Sequence, residues 1–593
     1  RNVLQKSRPA AGFSKMYDRI NGNTLSEEIV NNRANASEPL SGAQYLVIAP
    51  QSCSALMEIF LHWKAQLGFK TKLAFLEDIG STTNAIKDYI QNAYDNWDIP
   101  PEFVILVGDV SGNYILPSYY IDGYLTAWDV SDLSYSLLDG DDYFPDVLLG
   151  RFSIQGEMQL STIISKIIHY EKTPYMDTDW FKSALMVGLV STDNGYSQRE
   201  TLMSIRDKLL DFEYTKVDTF IAPAQFGHVL LENVINSGQS LICYRGAGYV
   251  TYWSGGLAGH MLQSSDVLNL SNGFMLPFVT SMTCGGGDFA ADNAPSCFGE
   301  TWLGAGTPSI PKGAIGFIGP SEHDTKTWFN NANASGIYQG ITEEGINTCG
   351  EMLLRGKMEL YNCYPFCHQM GNALDSDQFY FYVYNLLGDP GLRVWTDTPK
   401  SVELTASDVY AGSNYLTAFV TTDDDKSGFT VALTNADSLV AVGYTDANGQ
   451  VNIPIALTEE SYELTASKYG YIPQIIDIHV QETDMLTLQD YTFSDKMISG
   501  QTIQVDLTIQ NPTQVAASDV VIDLVSQDDY IVVTSDSVAV GSIPANQTCS
   551  CSFTIKIYEG WQNGKEVDLI VNMNSGFGEN CALIPVVIES PEM

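Results

Sequence analysis

The residue whose type and setting could do covalent chemistry is Cys284. It follows an apolar run, Phe274 to Met282, and sits in a turn of small residues, Thr283-Cys284-Gly285-Gly286-Gly287-Asp288-Phe289. A second apolar run, Gln239-Ser240-Leu241-Ile242-Cys243-Tyr244, stops in the same way at Arg245-Gly246-Ala247-Gly248-Tyr249-Val250-Thr251-Tyr252-Trp253. Short apolar runs bounded by glycine read as buried strands of a parallel sheet. Such sheets gather ligand-binding and catalytic groups at the carboxyl ends of their strands. A thiol there, among neighbours without bulk, is open to a substrate carbonyl. The attacking species is the thiolate, and an ordinary thiol (pKa about 8.5) needs a base beside it, normally an imidazole. By spacing alone, a lone cysteine after an apolar strand suits a buried, inert thiol equally well.

The elements that must position these turns alternate between strand and helix. Gln44–Ala49 reads as a strand, Ser54–Leu67 as a helix stopped by Gly68, Thr71–Phe75 as a strand and Asn84–Asn96 as a helix. Phe103–Val107 is a buried strand ending at Gly108-Asp109. A loop-rich stretch, 109–146, leads to the strand Val147–Phe152 and a helix through His169. A second unit begins at Ala184–Val187, holds both glycine turns and the strand Gly313–Gly319, and closes near Leu387-Gly388-Asp389-Pro390. This alternation is the signature of a parallel α/β sheet, here expected as two α/β subdomains, 41–180 and 181–397. From about 398 the pattern changes to Thr, Val and Ser alternating with apolar residues, with a hairpin signal at Asn448-Gly449. Residues 398–483 and 484–593 therefore read as two β-sandwich modules. Residues 1–40, polar and without periodicity, read as a linker or the remnant of a pro-segment.

Thirty Lys and Arg against 71 Asp and Glu give a formal net charge of −41 over 593 residues. Such a surface repels nucleic acid and anionic membrane. It is compatible with structural calcium, although Asp139-Gly140-Asp141-Asp142 and Asp423-Asp424-Asp425 are too irregular to define a site, and the chemistry requires no metal or other cofactor. No apolar run is long enough to span a bilayer, and no signal peptide opens the chain, which reads as a processed or trimmed form. Of the ten cysteines, Cys363 with Cys367, and Cys549 or Cys551 with Cys581, have spacings compatible with bridges. Nothing in the pattern sets an oligomeric state.

The phrases around the two turns resemble a known family. Cys284-Gly-Gly-Gly-Asp-Phe, followed by Pro295-Ser296-Cys297-Phe298-Gly299-Glu300, resembles the nucleophile region of the gingipain-type cysteine peptidases (peptidase family C25), with one glycine and one serine added. Tyr244, Gly246, Gly248, Thr251 and Trp253 fall in register with that family's histidine segment, and Val-x-x-Gly-Arg-Phe at 147–152 and Leu387-Gly388-Asp389-Pro390 are similar too. The resemblance implies a caspase-like fold, an immunoglobulin-like module over 398–483, export to the medium or cell surface, and protein or peptide substrates. It makes Cys284 the nucleophile and gives the backbone N–H groups of Gly248 and Cys284 to an oxyanion hole. It also implies an orienting carboxylate near Asp193. Substrate contacts are expected from Tyr249, Trp253, Thr283, Trp328, Gln198 and Asp288. Where the family has its catalytic histidine, this chain has Ala247. That alanine reads either as a substitution introduced to silence the enzyme or as the mark of a natural pseudopeptidase that binds peptides or glycans. The intact frame around it favours the first. His260 and His323, the other histidines of this region, read as surface or packing residues.

Overall fold

A computed structural model describes residues 41–589 apart from short interruptions, the longest at 369–375, 223–226, 124–127 and 560–564. The expected linker or pro-segment at 1–40 therefore lies outside the described residues. The chain divides into two compact units, the first holding 69–401 and most of what precedes it, the second nearly all that follows.

The first unit is built on one ten-stranded sheet. In chain order its strands are β1 (Tyr45–Ala49), β2 (Thr71–Phe75), β3 (Phe103–Val107), β4 (Leu148–Phe152), β5 (Ser183–Leu189), β6 (Lys216–Ala222), β7 (Leu241–Arg245), β8 (Phe278–Ser281), β9 (Gly316–Pro320) and β10 (Tyr384–Leu387). Their spatial order is β6-β5-β7-β8-β9-β10-β4-β3-β1-β2. Every residue of β1, β3 and β7 is buried, which is why these strands read as unbroken apolar runs rather than as alternations. Helices fill the connections, among them α1 (Ser54–Gln66), α2 (Thr83–Asn96), α3 (Glu157–Lys172), α4 (Gln198–Asp211), α5 (His228–Asn236), α6 (Ser264–Asn269), α7 (Phe298–Gly304), α8 (Thr327–Glu343), α9 (Cys349–Cys363) and α10 (Asp377–Val383).

The sheet departs from the all-parallel expectation at one seam. Strand β10 pairs parallel with β4 but antiparallel with β9. The reversal has a local cause. Helix α10 ends beside the carboxyl end of β9, where the Ser321 N–H donates to the Val383 carbonyl, so the following strand must run back down the sheet. The two parallel halves thus point their carboxyl ends at opposite rims. Shared phrases far from the turns prove to be internal fasteners. Arg151 is fully buried and forms a two-point pair with Asp132 (2.6 and 2.7 Å), while Asp389 and Glu171 hold the buried Lys64 ammonium at 2.8 Å each.

Among the described residues from 403 onward, the second unit's regular elements are strands. One pair of sheets, three- and five-stranded, occupies 403–481, and a pair of four-stranded sheets follows over 487–588. Residues Val505, Leu507 and Ile509 alternate inward with Ile522, Leu524, Phe553 and Ile555 to make the core of the second pair. No disulfide joins Cys363 with Cys367, or Cys549 or Cys551 with Cys581, which corrects the bridges suggested by spacing. Cys581 stands opposite Asn572 in its ladder, with its thiol on the Asn572 Oδ1 at 3.1 Å.

Candidate active site

Three loops meet at the carboxyl ends of β7, β8 and β9. The first leaves β7 at Arg245, whose guanidinium is fully buried. It donates to Asn331 Oδ1 (2.6 Å from Nη2), to the Thr327 carbonyl (3.1 Å) and to the Met282 carbonyl. One buried cation thus fastens the end of β7 to the end of β8 and to the first turn of α8. Gly246 follows, where a Cβ would fall 2.4 Å from the Tyr244 hydroxyl, so no other residue fits. That hydroxyl donates to the Ala247 carbonyl (2.8 Å), and Gly248–Tyr249 then pairs with Tyr252–Ser254 as a tight hairpin.

This hairpin lies directly on the Cys284 turn. A Cβ on Gly248 would sit 2.4 Å from Thr283 Cγ2 and 2.7 Å from the Cys284 carbonyl oxygen. The exposed Ala247, the next residue back, belongs to the same rim. The Ser254 N–H donates to the Ala247 carbonyl, so in the alternation of an antiparallel ladder the next pair, Gly248 with Trp253, is a non-hydrogen-bonded one. The Gly248 N–H is thereby left out of the ladder.

The Cys284 sulfur is half-buried and held by the third loop. The Thr325 N–H donates to Sγ at 3.4 Å, and Thr325 Oγ1 lies 3.3 Å away. Thr325 gives its one hydroxyl proton to the Thr283 carbonyl (2.6 Å), so toward the sulfur it can only accept. Asn330 Nδ2 donates to the same hydroxyl at 2.7 Å. The sulfur's direction is therefore fixed by a hydroxyl that is itself fixed.

The glycines after Cys284 let this loop close over them. Gly285, at φ +62°, donates to the Glu322 carbonyl (2.8 Å), and Gly287 packs so tightly on β9 that a Cβ would meet the Gly319 carbonyl at 2.3 Å. His323 stands against this turn, its Cδ2 3.1 Å from where a Gly285 Cβ would be. Its Nε2 lies 2.8 Å from Asp288 Oδ2. That hydrogen bond raises the imidazole pKa above its ordinary value; burial opposes the rise, and the charges of Asp288, Asp129 and Glu322 reinforce it.

The expected site residues divide accordingly. Gly248 packs on the Cys284 backbone with Ala247 next to it in the chain, and Tyr249 follows, half exposed and stacked on Tyr252 with centroids 4.5 Å apart. Trp253 and Thr283 do not face the cleft. Trp253 is 1% exposed, stacked on Tyr244 at 4.5 Å with its Nε1 donating to Ser281 Oγ (2.9 Å), and Thr283 is fully buried with its hydroxyl on the Gly246 carbonyl (2.6 Å). Both brace the hairpin, because an indole and a β-branched residue beneath glycines fill the space the glycines leave. Asp288 is not a free charge but the partner of His323. Trp328 is half-buried in the first turn of α8 and packs near Tyr196, with centroids 5.7 Å apart; Gln198 opens α4. Asp193 lies in the short strand Thr192–Asp193, whose side chains are outside the described residues. Sequence reading passed over Arg245, Thr325 and the placing of His323. The Arg245-Gly246 step beside a glycine turn was the one local signal, since a charged residue ending a fully apolar strand must be satisfied by something.

Comparison with known proteins agrees with this geometry. The profile of peptidase family C25 matches residues 38–395. Gingipain R2 of Porphyromonas gingivalis is 26% identical over 526 residues, 85% of this chain and 66% of its own length. Lys-gingipain of the same organism is 26% identical over 469 residues, 74% of this chain and 25% of its own length. The chain thus spans about two thirds of the one and a quarter of the other. The crystal structure of the Arg-specific cysteine proteinase gingipain R superposes with a TM-score of 0.66 at 24% identity, covering 75% of this chain and 99% of that one.

Proposed function

From the premise that this chain belongs to peptidase family C25, we propose that it is an exported cysteine endopeptidase with Cys284 as nucleophile, held in an inactive form by Ala247. Cys284 Sγ would attack the scissile carbonyl, and the N–H groups of Gly248 and Cys284 would receive the negative charge on the resulting tetrahedral oxygen. Each such donor is worth about 3 kcal/mol. The leaving amine must then take a proton, and the thiol must first lose one. A methyl group at 247 does neither. The observation that supports this reading is the packing of Gly248, the residue next to Ala247, on the Cys284 backbone.

The test is Ala247→His. Loss of the base in other thiol and serine enzymes costs about 10⁴–10⁶ in rate, so the histidine variant should hydrolyse a broad peptide library, and Cys284→Ala in that background should abolish the activity. A histidine variant inert toward every library member would favour a non-catalytic surface protein that binds peptides or glycans.

One observation supports a second reading. His323 and Asp288 form an imidazole–carboxylate pair at the Cys284 turn, the arrangement that orients a general base elsewhere. On that reading the chain turns over peptides slowly as it stands, and His323→Ala removes the activity.

A further inference from the structure

Away from the thiol, three metal-ligating side chains converge. His228 and Glu232 lie one helical turn apart on the same face of α5, and Asp266 reaches them from α6. One donor atom from each falls within 4.8 Å of the others. We propose that His228, Glu232 and Asp266 form a binding site for a divalent transition-metal ion of the zinc type, which ties α5 to the segment that continues from the Gly248 hairpin.

The donor set decides the class of ion. One imidazole nitrogen with two carboxylate oxygens suits zinc and its neighbours, whereas calcium takes six to eight oxygens and has no use for an imidazole. Bonds of about 2.0–2.2 Å on a tetrahedral centre leave a fourth position for water and need these atoms to draw together by roughly 1 Å. The two ligands on α5 have the freedom to do so, because His228 is exposed and Glu232 half-buried. Asp266 is the fixed member. It is buried, and its Oδ2 accepts the Gln263 N–H at 3.0 Å in the capping box that starts α6, a hydrogen bond that orients the carboxylate.

Two carboxylates share the space, and a dication would relieve both. A second imidazole stands close: the His260 ring centroid is 6.1 Å from that of His228. His260 begins the strand His260–Gln263, which pairs with Tyr252–Ser254, and that strand pairs with Gly248–Tyr249. An ion bound here would therefore clamp the outer strand of the three-stranded sheet whose inner edge lies on Cys284, with no part in bond-breaking.

The experiment is titration of the full chain carrying Cys284→Ala with zinc chloride by calorimetry, and with cobalt(II) followed by absorption spectroscopy. The expected result is one zinc per chain and a visible cobalt band without the near-ultraviolet thiolate band. Glu232→Gln and His228→Ala should each weaken zinc at least tenfold. Both are surface-accessible changes that leave the fold intact, which circular dichroism verifies. No saturable binding below about 1 mM zinc, unchanged affinity in both variants, a thiolate band, or calcium binding as tightly as zinc would each overturn the assignment.

Discussion

Gly248→Ala tests the contact on which the site is built. The added methyl carbon would lie 2.4 Å from Thr283 Cγ2, 2.7 Å from Thr283 Oγ1 and 2.7 Å from the Cys284 carbonyl. Ordinary carbon contacts begin near 3.5 Å, so the hairpin and the thiol turn must separate by about 1 Å. Neither side can yield cheaply. Thr283 is fully buried and bonded to the Gly246 carbonyl, and the hairpin is pinned from below by Trp253 on Ser281. Overpacking of this kind costs about 1–3 kcal/mol of stability. A 1 Å misplacement at a reacting centre costs about 100-fold in rate. In the Ala247→His background, Gly248→Ala should therefore lower kcat/KM about 100-fold for every peptide substrate, and urea unfolding of the first unit should report the stability loss. Full activity with unchanged unfolding would mean that the hairpin does not rest on Cys284, and the argument for position 247 would fall with it.

Further expectations follow from neighbouring contacts. Trp253→Ala removes a fully packed indole and its bond to Ser281, and should cost about 3–5 kcal/mol in denaturant unfolding. His323 has its pKa raised in the folded state, so the stability from its pairing with Asp288 is complete below its ordinary value of 6.5 and is lost as pH rises through the folded value. Asp288→Asn should flatten that part of the stability–pH curve, read by urea melts from pH 5.5 to 8.5. Glu300, buried at the start of α7, has its carboxyl pushed up to about 7, chiefly by burial. The folded state therefore keeps a proton that the unfolded chain has lost, and stability should fall as pH rises from about 4.5 to about 7. Glu300→Gln should remove that fall, as measured by melts across the same range.

The strands were legible because burial on both faces makes them continuous apolar runs, as at 45–49 and 103–107. The expected strand from Phe274 proved shorter, beginning at Phe278, because Pro277 withholds a donor and the residues before it turn around Asn272, whose side chain bonds Met275 and Gly313. The seam at β10 was not legible, since strand direction depends on where α10 ends and not on the composition of Tyr384–Leu387. Within the site, Cys284 and Gly248 could be found because glycines leave a mark in sequence. The pairing of Asp288 with His323 joins residues 35 apart whose types fit any exposed loop. Trp253 illustrates a different limit. An aromatic after a glycine turn reads the same whether it lines a cleft or plugs the space beneath it, and only packing on Tyr244 and Ser281 decides.

The reversal at β10 gives the first unit two working edges. Loops that follow β7, β8 and β9 crowd the sulfur, while β1, β3 and β4 end at the other rim, from which the segment after β3 folds back until Asp129 acts on His323 and Ser131 bonds the Tyr382 carbonyl. Insertions grafted at the ends of β1 and β2, the edge of the sheet furthest from β8, would leave the thiol open. That edge is accordingly the place to attach a reporter, or for nature to vary a surface, while the crevice keeps its shape.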